Sequence, residues 1–196
     1  MKLWLIVAAA LAAAGLADAT VYVDENFENS VPPPGWASSK SGEGAGWDAE
    51  TGGPWWTYAL GWASSSAGAE RWAKLETYSF GVPAEAELSF RFDYKYGHGG
   101  YEAPNRATLT LLYAAYPEQI FASHGMLLTP TWRGFEGTAV ATRGGLVKVR
   151  FEVWVQNPHP RRVATYAWDV DNVLVVDAGE YAVAPASLGR VKALFR

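Results

Sequence analysis

The sequence predicts an all-β fold, an antiparallel two-sheet sandwich, on three observations. Ala86 to Tyr96 alternates, with Leu88, Phe90, Phe92 and Tyr94 on one side and Glu87, Ser89, Arg91, Asp93 and Lys95 on the other. Leu146 to Val155 repeats the pattern, with Val147, Val149, Phe151, Val153 and Val155 set against Lys148, Arg150 and Glu152, and Trp154 breaking the polar side. Period two marks a half-buried strand, because successive side chains point to opposite faces. The third observation is the punctuation. Gly81-Val82-Pro83, Gly97-His98-Gly99-Gly100 and Gly144-Gly145 are turn chemistry, and no stretch between Thr20 and Asp177 has helical period. Many strands with turns between them and no helices form a sandwich.

In chain order, residues 1–19 read as a secretory leader. Lys2 gives the positive start, Leu3 to Leu16 the apolar core, and Ala17-Asp18-Ala19 a small-x-small cleavage site. The apolar run is shorter than the roughly 20 residues of a membrane-spanning helix. Export to the medium or the cell envelope is expected, with no integral membrane segment after cleavage. Residues 20–178 then form one domain, long enough to bury about 70% of its unfolded surface. The chain has no cysteine, so an exported fold relies on packing, helped or not by a metal ion. That also excludes thiol catalysis and cysteine-zinc sites. A net charge of −4 opposes nucleic acid, which needs a basic footprint.

The strand candidates are the two terminal segments, Ala73 to Phe80, Ala86 to Tyr96, Ala107 to Tyr113, Phe135 to Thr142 and Leu146 to Val155, seven or eight in all. Ser38 to Ser66, rich in Gly, Ser and Trp, reads as long loops with one or two short strands. Residues 179–196 read as a linker and a short helical tail, with Leu188, Val191 and Leu194 at helical spacing and Ser187 as N-cap.

Catalytic signatures are thin. The chain holds no Gly-x-Ser-x-Gly, no His-Glu-x-x-His and no phosphate-binding loop. His98, His124 and His159 lie far apart near turns. Asp169 with Asp171, and Glu85 with Glu87, have the alternate spacing that places two acids on one strand face. Glycosidase chemistry needs two such acids facing each other across a cleft. The Glu85 face continues into Ser89 and Arg91 and reads as solvated. The prediction is therefore not an enzyme, with a carbohydrate-active enzyme as the weaker alternative and a structural envelope protein as another.

Two terminal segments carry the strongest pattern. Phe27-Glu28 followed by Pro34-Gly35-Trp36 opens the domain, and Trp168-Asp169-Val170-Asp171-Asn172-Val173 closes it. With Trp47, Ala73 to Pro83, Leu88 to Tyr94 and Val149-Arg150-Phe151 between them, the chain resembles the bacterial cleaved-adhesin and choice-of-anchor jelly rolls, which are similar to MAM domains. Glu76-Thr77-Tyr78-Ser79 departs from the Ser/Thr-Pro pair usual there, and the MAM disulfides are missing. The resemblance implies a concanavalin A-like or galactose-binding-like jelly roll, non-catalytic, whose partner is a glycan or a cell-surface protein. It also implies calcium where the first and last strands meet. Glu28 and Asp171 are the positions the resemblance supports best, and Asp24 and Asp169 would join them if those strands pair antiparallel. Calcium takes six to eight oxygen ligands. The competing reading is that these acids solvate a sheet edge.

Ten tryptophans and ten tyrosines supply the remaining signal. Flat aromatics stack on the apolar faces of sugars. Trp55, Trp56, Tyr58 and Trp62 lie in a Gly-rich stretch, and Tyr96 and Tyr101 flank the turn at Gly97–Gly100, so these six are the candidate glycan contacts. Trp36, Trp47, Trp132, Trp154 and Trp168 read as core or as caps on its ends.

Overall fold

The computed structural model describes residues 20–53, 56–66, 68–113, 116–124, 129–159 and 161–178. The leader and the C-terminal tail expected from the sequence lie outside these residues. Within them run twelve strands: β1 (Val21–Glu25), β2 (Ala37–Lys40), β3 (Ala45–Gly53), β4 (Trp56–Ser66), β5 (Glu70–Glu76), β6 (Phe80–Val82), β7 (Ala86–Gly100), β8 (Asn105–Tyr113), β9 (Tyr116–His124), β10 (Thr129–Ala141), β11 (Gly145–Gln156) and β12 (Val163–Asp177). The seven or eight strands counted from the sequence were too few. Ser38 to Ser66 is mostly strand, not loop.

The strands form two six-stranded antiparallel sheets. The front sheet runs β10-β7-β12-β4-β3, with β1 beside β12; the back sheet runs β2-β5-β11-β8-β9, with β6 beside β11. β12 is shared along its length. Val163–Val170 pairs with β4 and Val173–Val176 with β1, while β7 follows its other side. The first and last strands therefore meet antiparallel, as the sequence requires for its terminal acids to come together. This is the jelly-roll sandwich expected.

The alternation in β7 and β11 sends Leu88, Phe90, Phe92, Val149, Phe151 and Val153 into the interior, each at most 3% exposed. Aromatic rings join the sheets. Phe151 meets Phe92 edge-on at 5.7 Å and Trp168 at 5.6 Å, and Trp168 meets Trp47 at 6.2 Å. Trp36 stacks on Phe151 at 6.4 Å and takes the edge of Phe27 at 5.6 Å. Such pairs add about 0.5–1.5 kcal/mol each beyond the area they bury. Trp36, Trp47 and Trp168 are core, as expected. Trp132 and Trp154 are not: both are half-buried on outer faces. Trp154 donates to Glu70 Oε1 at 2.6 Å and lies under Arg106 on a back face laced with ion pairs such as Arg150–Glu76 at 2.6 Å.

In β4 the usual size pattern is reversed. Ala59, Gly61 and Ala63 face inward and Tyr58, Leu60 and Trp62 outward. The reason is Trp47: a Cβ on Gly61 would stand 2.5 Å from its ring. Large indoles already fill the interior there, so β4 contributes little bulk to the core and turns its aromatics outward.

Candidate functional site

Directly opposed residues on paired strands share a face, so the register builds the outer surface of the front sheet row by row. Asp48 is opposite Leu60, Leu60 opposite Asp169, and Asp169 opposite Lys95. Gly46, Trp62, Ala167 and Gly97 form the next row, and Ser64, Thr165 and Gly99 the one after. On the other side, Glu50 faces Tyr58.

Trp62 is held down on this surface. Its Nε1 donates to Asp48 Oδ2 at 2.7 Å, and its ring lies over Gly46, where a Cβ would stand 3.3 Å from that nitrogen. The residue is partly exposed. A cavity of about 200 Å³ opens beside it at the seam of β2 and β3, lined in part by Ser38, Lys40 and Asp48. Tyr58, four residues earlier on the same face, stands against Gly53 and meets Trp132 edge to face at 5.2 Å. The two rings bridge β12 and β7.

The ammonium of Lys95 lies 5.6 Å from the Tyr58 ring and 5.5 Å from Trp132, and pairs with Asp169 Oδ2 at 2.6 Å. Burial pushes the Asp169 carboxyl above its usual range, against the pull of the Lys95 hydrogen bond and charge. For Lys95, burial lowers the value, but the hydrogen bond and charge of Asp169 more than offset it, so the ammonium is held above its usual range. Burial, then the charge of Asp169, raises the Tyr58 phenol. This corner presents the Lys95 ammonium and the Tyr58 hydroxyl as donors, with the carboxyl oxygens of Asp48 and Glu50 as acceptors. Together with the flat indole of Trp62 it forms a trough: aromatic walls, a polar corner and a floor of small residues.

A second cluster lies at the β1–β12 junction. Asp171 is fully buried. Its Oδ1 accepts the Asn172 N–H at 2.8 Å, and its Oδ2 has no partner. Burial pushes this carboxyl up to about 7; the Asn172 hydrogen bond pulls it back, and the charges of Asp93, Glu28 and Glu25 push it further. Asn172 has φ of 52°, left-handed backbone that asparagine tolerates, and donates to Asp93 Oδ2 at 2.8 Å. Glu25 accepts the Phe27 N–H at 2.7 Å.

The four acids expected as metal ligands therefore divide. The charge of Glu28 acts on Asp171, as do those of Asp93 and Glu25, which the sequence did not single out. Asp169 is committed to Lys95 in the trough. Asp24 is exposed opposite Leu174 and is not among the charges acting on Asp171. Among the described residues, no three His, Cys, Asp or Glu side chains are gathered closely enough to hold a metal ion.

The six aromatic candidates divide too. Tyr58 and Trp62 are trough residues. Trp55 lies outside the described residues, and Trp56 is described by its backbone alone. Tyr96 is a correction: β7 continues through Gly100, so Tyr96 keeps its inward phase. It is 1% exposed, with its hydroxyl bonded to Asn105 Oδ1 and its ring stacked on Tyr166. Tyr101 sits at the end of the sandwich, its ring 5.1 Å from His159 and 5.5 Å from the Arg162 guanidinium, apart from the trough. Trp132, Lys95 and Asp48 were missed. Asp48 was within reach, since it follows Trp47 in a strand whose tryptophan faces inward.

Among solved structures, the K3 cleaved adhesin domain of Lys-gingipain from Porphyromonas gingivalis has TM-score 0.55 at 13% identity, covering 81% of this chain and 100% of that one. The CBM22-1 xylan-binding domain from Paenibacillus barcinonensis Xyn10C gives 0.53 at 12%, covering 81% and 95%. TmCBM61, in complex with beta-1,4-galactotriose, gives 0.51 at 13%, covering 81% and 99%. At these identities the likeness is one of fold. The chain has the architecture shared by cleaved adhesin domains and these carbohydrate-binding modules. No protein-family model matches the chain, and no curated protein does.

Proposed function

We propose that this chain is a secreted, non-catalytic binding module that takes a glycan in the trough on its front sheet. The observation that carries the reading is Trp62, a partly exposed indole pinned by Asp48 and laid over Gly46. A pyranose has an apolar face and polar edges. The indole meets the first, and Lys95, Tyr58 and Asp48 meet the second, the charged groups with charge-assisted hydrogen bonds, about twice as strong as neutral ones. The fold is shared with modules solved on sugars, which supports the same use here. Non-catalysis is supported by Asp169, whose carboxylate is committed to Lys95. Export, resting on residues 1–19, is checked by N-terminal sequencing of the secreted protein. A start at Thr20 agrees with it, and a start at Met1 contradicts it.

The test is affinity electrophoresis of wild type and Trp62→Ala through gels containing soluble plant polysaccharides. Wild type should be retarded by at least one of them, and Trp62→Ala should lose about tenfold or more of that affinity at an unchanged melting temperature. A wild type that no polysaccharide retards contradicts the reading.

Calcium belongs to this proposal as a structural ion at the β1–β12 junction. The support is Asp171 Oδ2, a buried carboxylate oxygen with no partner on which the charges of Asp93, Glu28 and Glu25 act; no three acids among the described residues are gathered as an ion-holding group, so these side chains would have to close around the ion. Asp171, Glu28, Asp93 and Glu25 would hold it, with backbone carbonyls completing the six to eight oxygens calcium takes. The ion would neutralise acids that otherwise repel one another and would tie the first strand to the last. Adding calcium to chelated protein should release heat and raise the melting temperature; neither change would remove the ion from the account.

A further inference from the structure

The β7–β8 loop, 101–104, and the β11–β12 loop, 157–162, meet at one end of the sandwich, where the Tyr101 N–H donates to the Val163 carbonyl at 2.8 Å. Surface loops are usually the mobile part of a fold. These two are held from beneath by three buried polar side chains. Asn157, fully buried, donates from Nδ2 to the carbonyls of Ser65 at 2.9 Å and Arg162 at 2.6 Å, and its Oδ1 accepts the His159 N–H at 2.9 Å. The Tyr166 hydroxyl, also buried, accepts the Ala103 N–H at 3.0 Å and donates to the Ala103 carbonyl at 2.9 Å, where buried Asn105 Nδ2 donates as well. Pro158 and Pro160 restrict the second loop further. Freedom that a partner would otherwise have to remove is removed in folding, which is how preorganised contact loops gain affinity.

What these loops hold up is cationic. Arg161 and Arg162 are exposed side by side. The Arg162 guanidinium lies 5.5 Å from the Tyr101 ring, whose other neighbour is the His159 ring at 5.1 Å. His98, exposed near the end of β7, lies 5.7 Å from Tyr166. Six cations of the sheets, Lys74, Arg91, Lys95, Arg106, Lys148 and Arg150, each have a carboxylate at 3.7 Å or less. Arg161 and Arg162 have no such partner among the described residues, and Glu102 of the adjoining loop is in none of these pairs. Residues 125–128, between β9 and β10, are Gly-Met-Leu-Leu and bring no carboxylate. The arrangement fits an external carboxylate, because a guanidinium grips one with two parallel N–H bonds, and Tyr101 fixes one such fork beforehand. Arginine and tyrosine on a rigid support are the composition of protein-binding hot spots. A sugar finds no platform, since guanidinium and imidazole already flank the Tyr101 ring. Two arginines on a chain of net charge −4 fall short of the basic footprint nucleic acid needs.

We propose that this end of the sandwich docks an acidic segment of a protein partner, with Arg161 and Arg162 taking its carboxylates and Tyr101 holding Arg162 in place. The site is separate from the trough, because the Trp62 row lies four residues along β12 from Val163, about 13 Å. It stands or falls independently of the glycan reading. The test is fluorescence anisotropy of a labelled glutamate homopeptide at low ionic strength, beside melting curves. Wild type should bind it. Arg161→Gln and Arg162→Gln should each bind about fivefold or more weakly, having lost a charge-assisted bond, without melting earlier. Arg143→Gln removes the same charge from an exposed turn at the far end of β11, about 35 Å away, and should bind like wild type. Tyr101→Leu keeps every charge and should still bind about threefold or more weakly, since the guanidinium is no longer held in place. Equal losses at Arg143 and Arg162, no loss in either loop variant, or a wild type that does not bind would each overturn the proposal. Polygalacturonate offers the same carboxylates on a sugar chain; if it binds through Arg162 and the peptide does not, the protein partner gives way to an acidic glycan. Sedimentation velocity without peptide checks the remaining occupant: self-association that Arg162→Gln abolishes would replace the separate partner by a second copy of this chain. If Tyr101→Leu fails to fold, the two arginine variants decide the matter.

Discussion

Gly61→Ala and Gly97→Ala add the same methyl group to the same sheet, and the account predicts opposite results. At Gly61 the new Cβ would lie 2.5–2.7 Å from three atoms of the Trp47 ring. That ring is 6% exposed and packed on Trp168, itself fully buried, so it has no free direction in which to yield. Overpacking of this kind costs about 1–3 kcal/mol. Reduced freedom of the unfolded chain returns about 0.4–1 kcal/mol, since neither glycine requires positive φ. Gly61→Ala should then lose about 1–2 kcal/mol net. Gly97→Ala, with no atom of the described residues within 4 Å of its Cβ, keeps the entropic gain alone and should be neutral or slightly stabilised. At about 2–4 °C per kcal/mol for a domain of this size, the two variants should melt about 2–12 °C apart. Thermal unfolding followed by near-ultraviolet circular dichroism reads the difference and reports the tryptophan core directly. If Gly61→Ala melts with wild type, β4 presents its other face to the core, Trp62 points inward, and the trough is not where we place it.

Further outcomes follow from the two acidic sites. Lys95→Met leaves Asp169, 3% exposed, without its cation; a buried acceptor so orphaned costs about 1–3 kcal/mol, read as a lower urea midpoint, and glycan affinity should fall as well. Asp48→Asn keeps an acceptor for Trp62 Nε1 and should preserve binding, whereas Asp48→Ala releases the indole and should weaken it severalfold by titration calorimetry. In chelator, wild type should be more stable at pH 5 than at pH 8. Asp171 titrates at about 7 when folded and near 3.9 when unfolded, so the folded state holds the extra proton and stability is lost as pH rises through about 7. The loss is a few kcal/mol on the order-of-magnitude scale of this linkage. Asp171→Asn should flatten that profile, and an unchanged slope in urea titrations would mean the carboxylate is solvated.

The sequence made the frame legible where polar and apolar residues alternate. β7 and β11 were readable because Arg91, Asp93 and Lys95, or Lys148, Arg150 and Glu152, mark the outer face. The pairing of β1 with β12 was readable from the acids at both ends. β2, β3 and β4 were hidden because the outer face of β4 carries Tyr58, Leu60 and Trp62 over an inner row of Ala59, Gly61 and Ala63. Hydropathy is then high on both sides and shows no period. The Lys95–Asp169 pair joins residues 74 positions apart, and it exists only in the register that sets β7 against β12. Trp132 lies where the β10–β7 register shifts between Thr129 and Arg133, so alternation counted from Phe135 does not fix its face. Tyr96 was misplaced because the glycines after it look like a turn, whereas β7 runs on through Gly100.

The most direct measurement is a crystal structure of the protein soaked with an oligosaccharide of whichever polysaccharide retards it. The account predicts sugar rings across the front sheet, one against Trp62 and the next towards Lys95 and Trp132. Rings stacked instead on Trp154 of the back sheet, or at the sandwich end beside Tyr101 and His159, would contradict it.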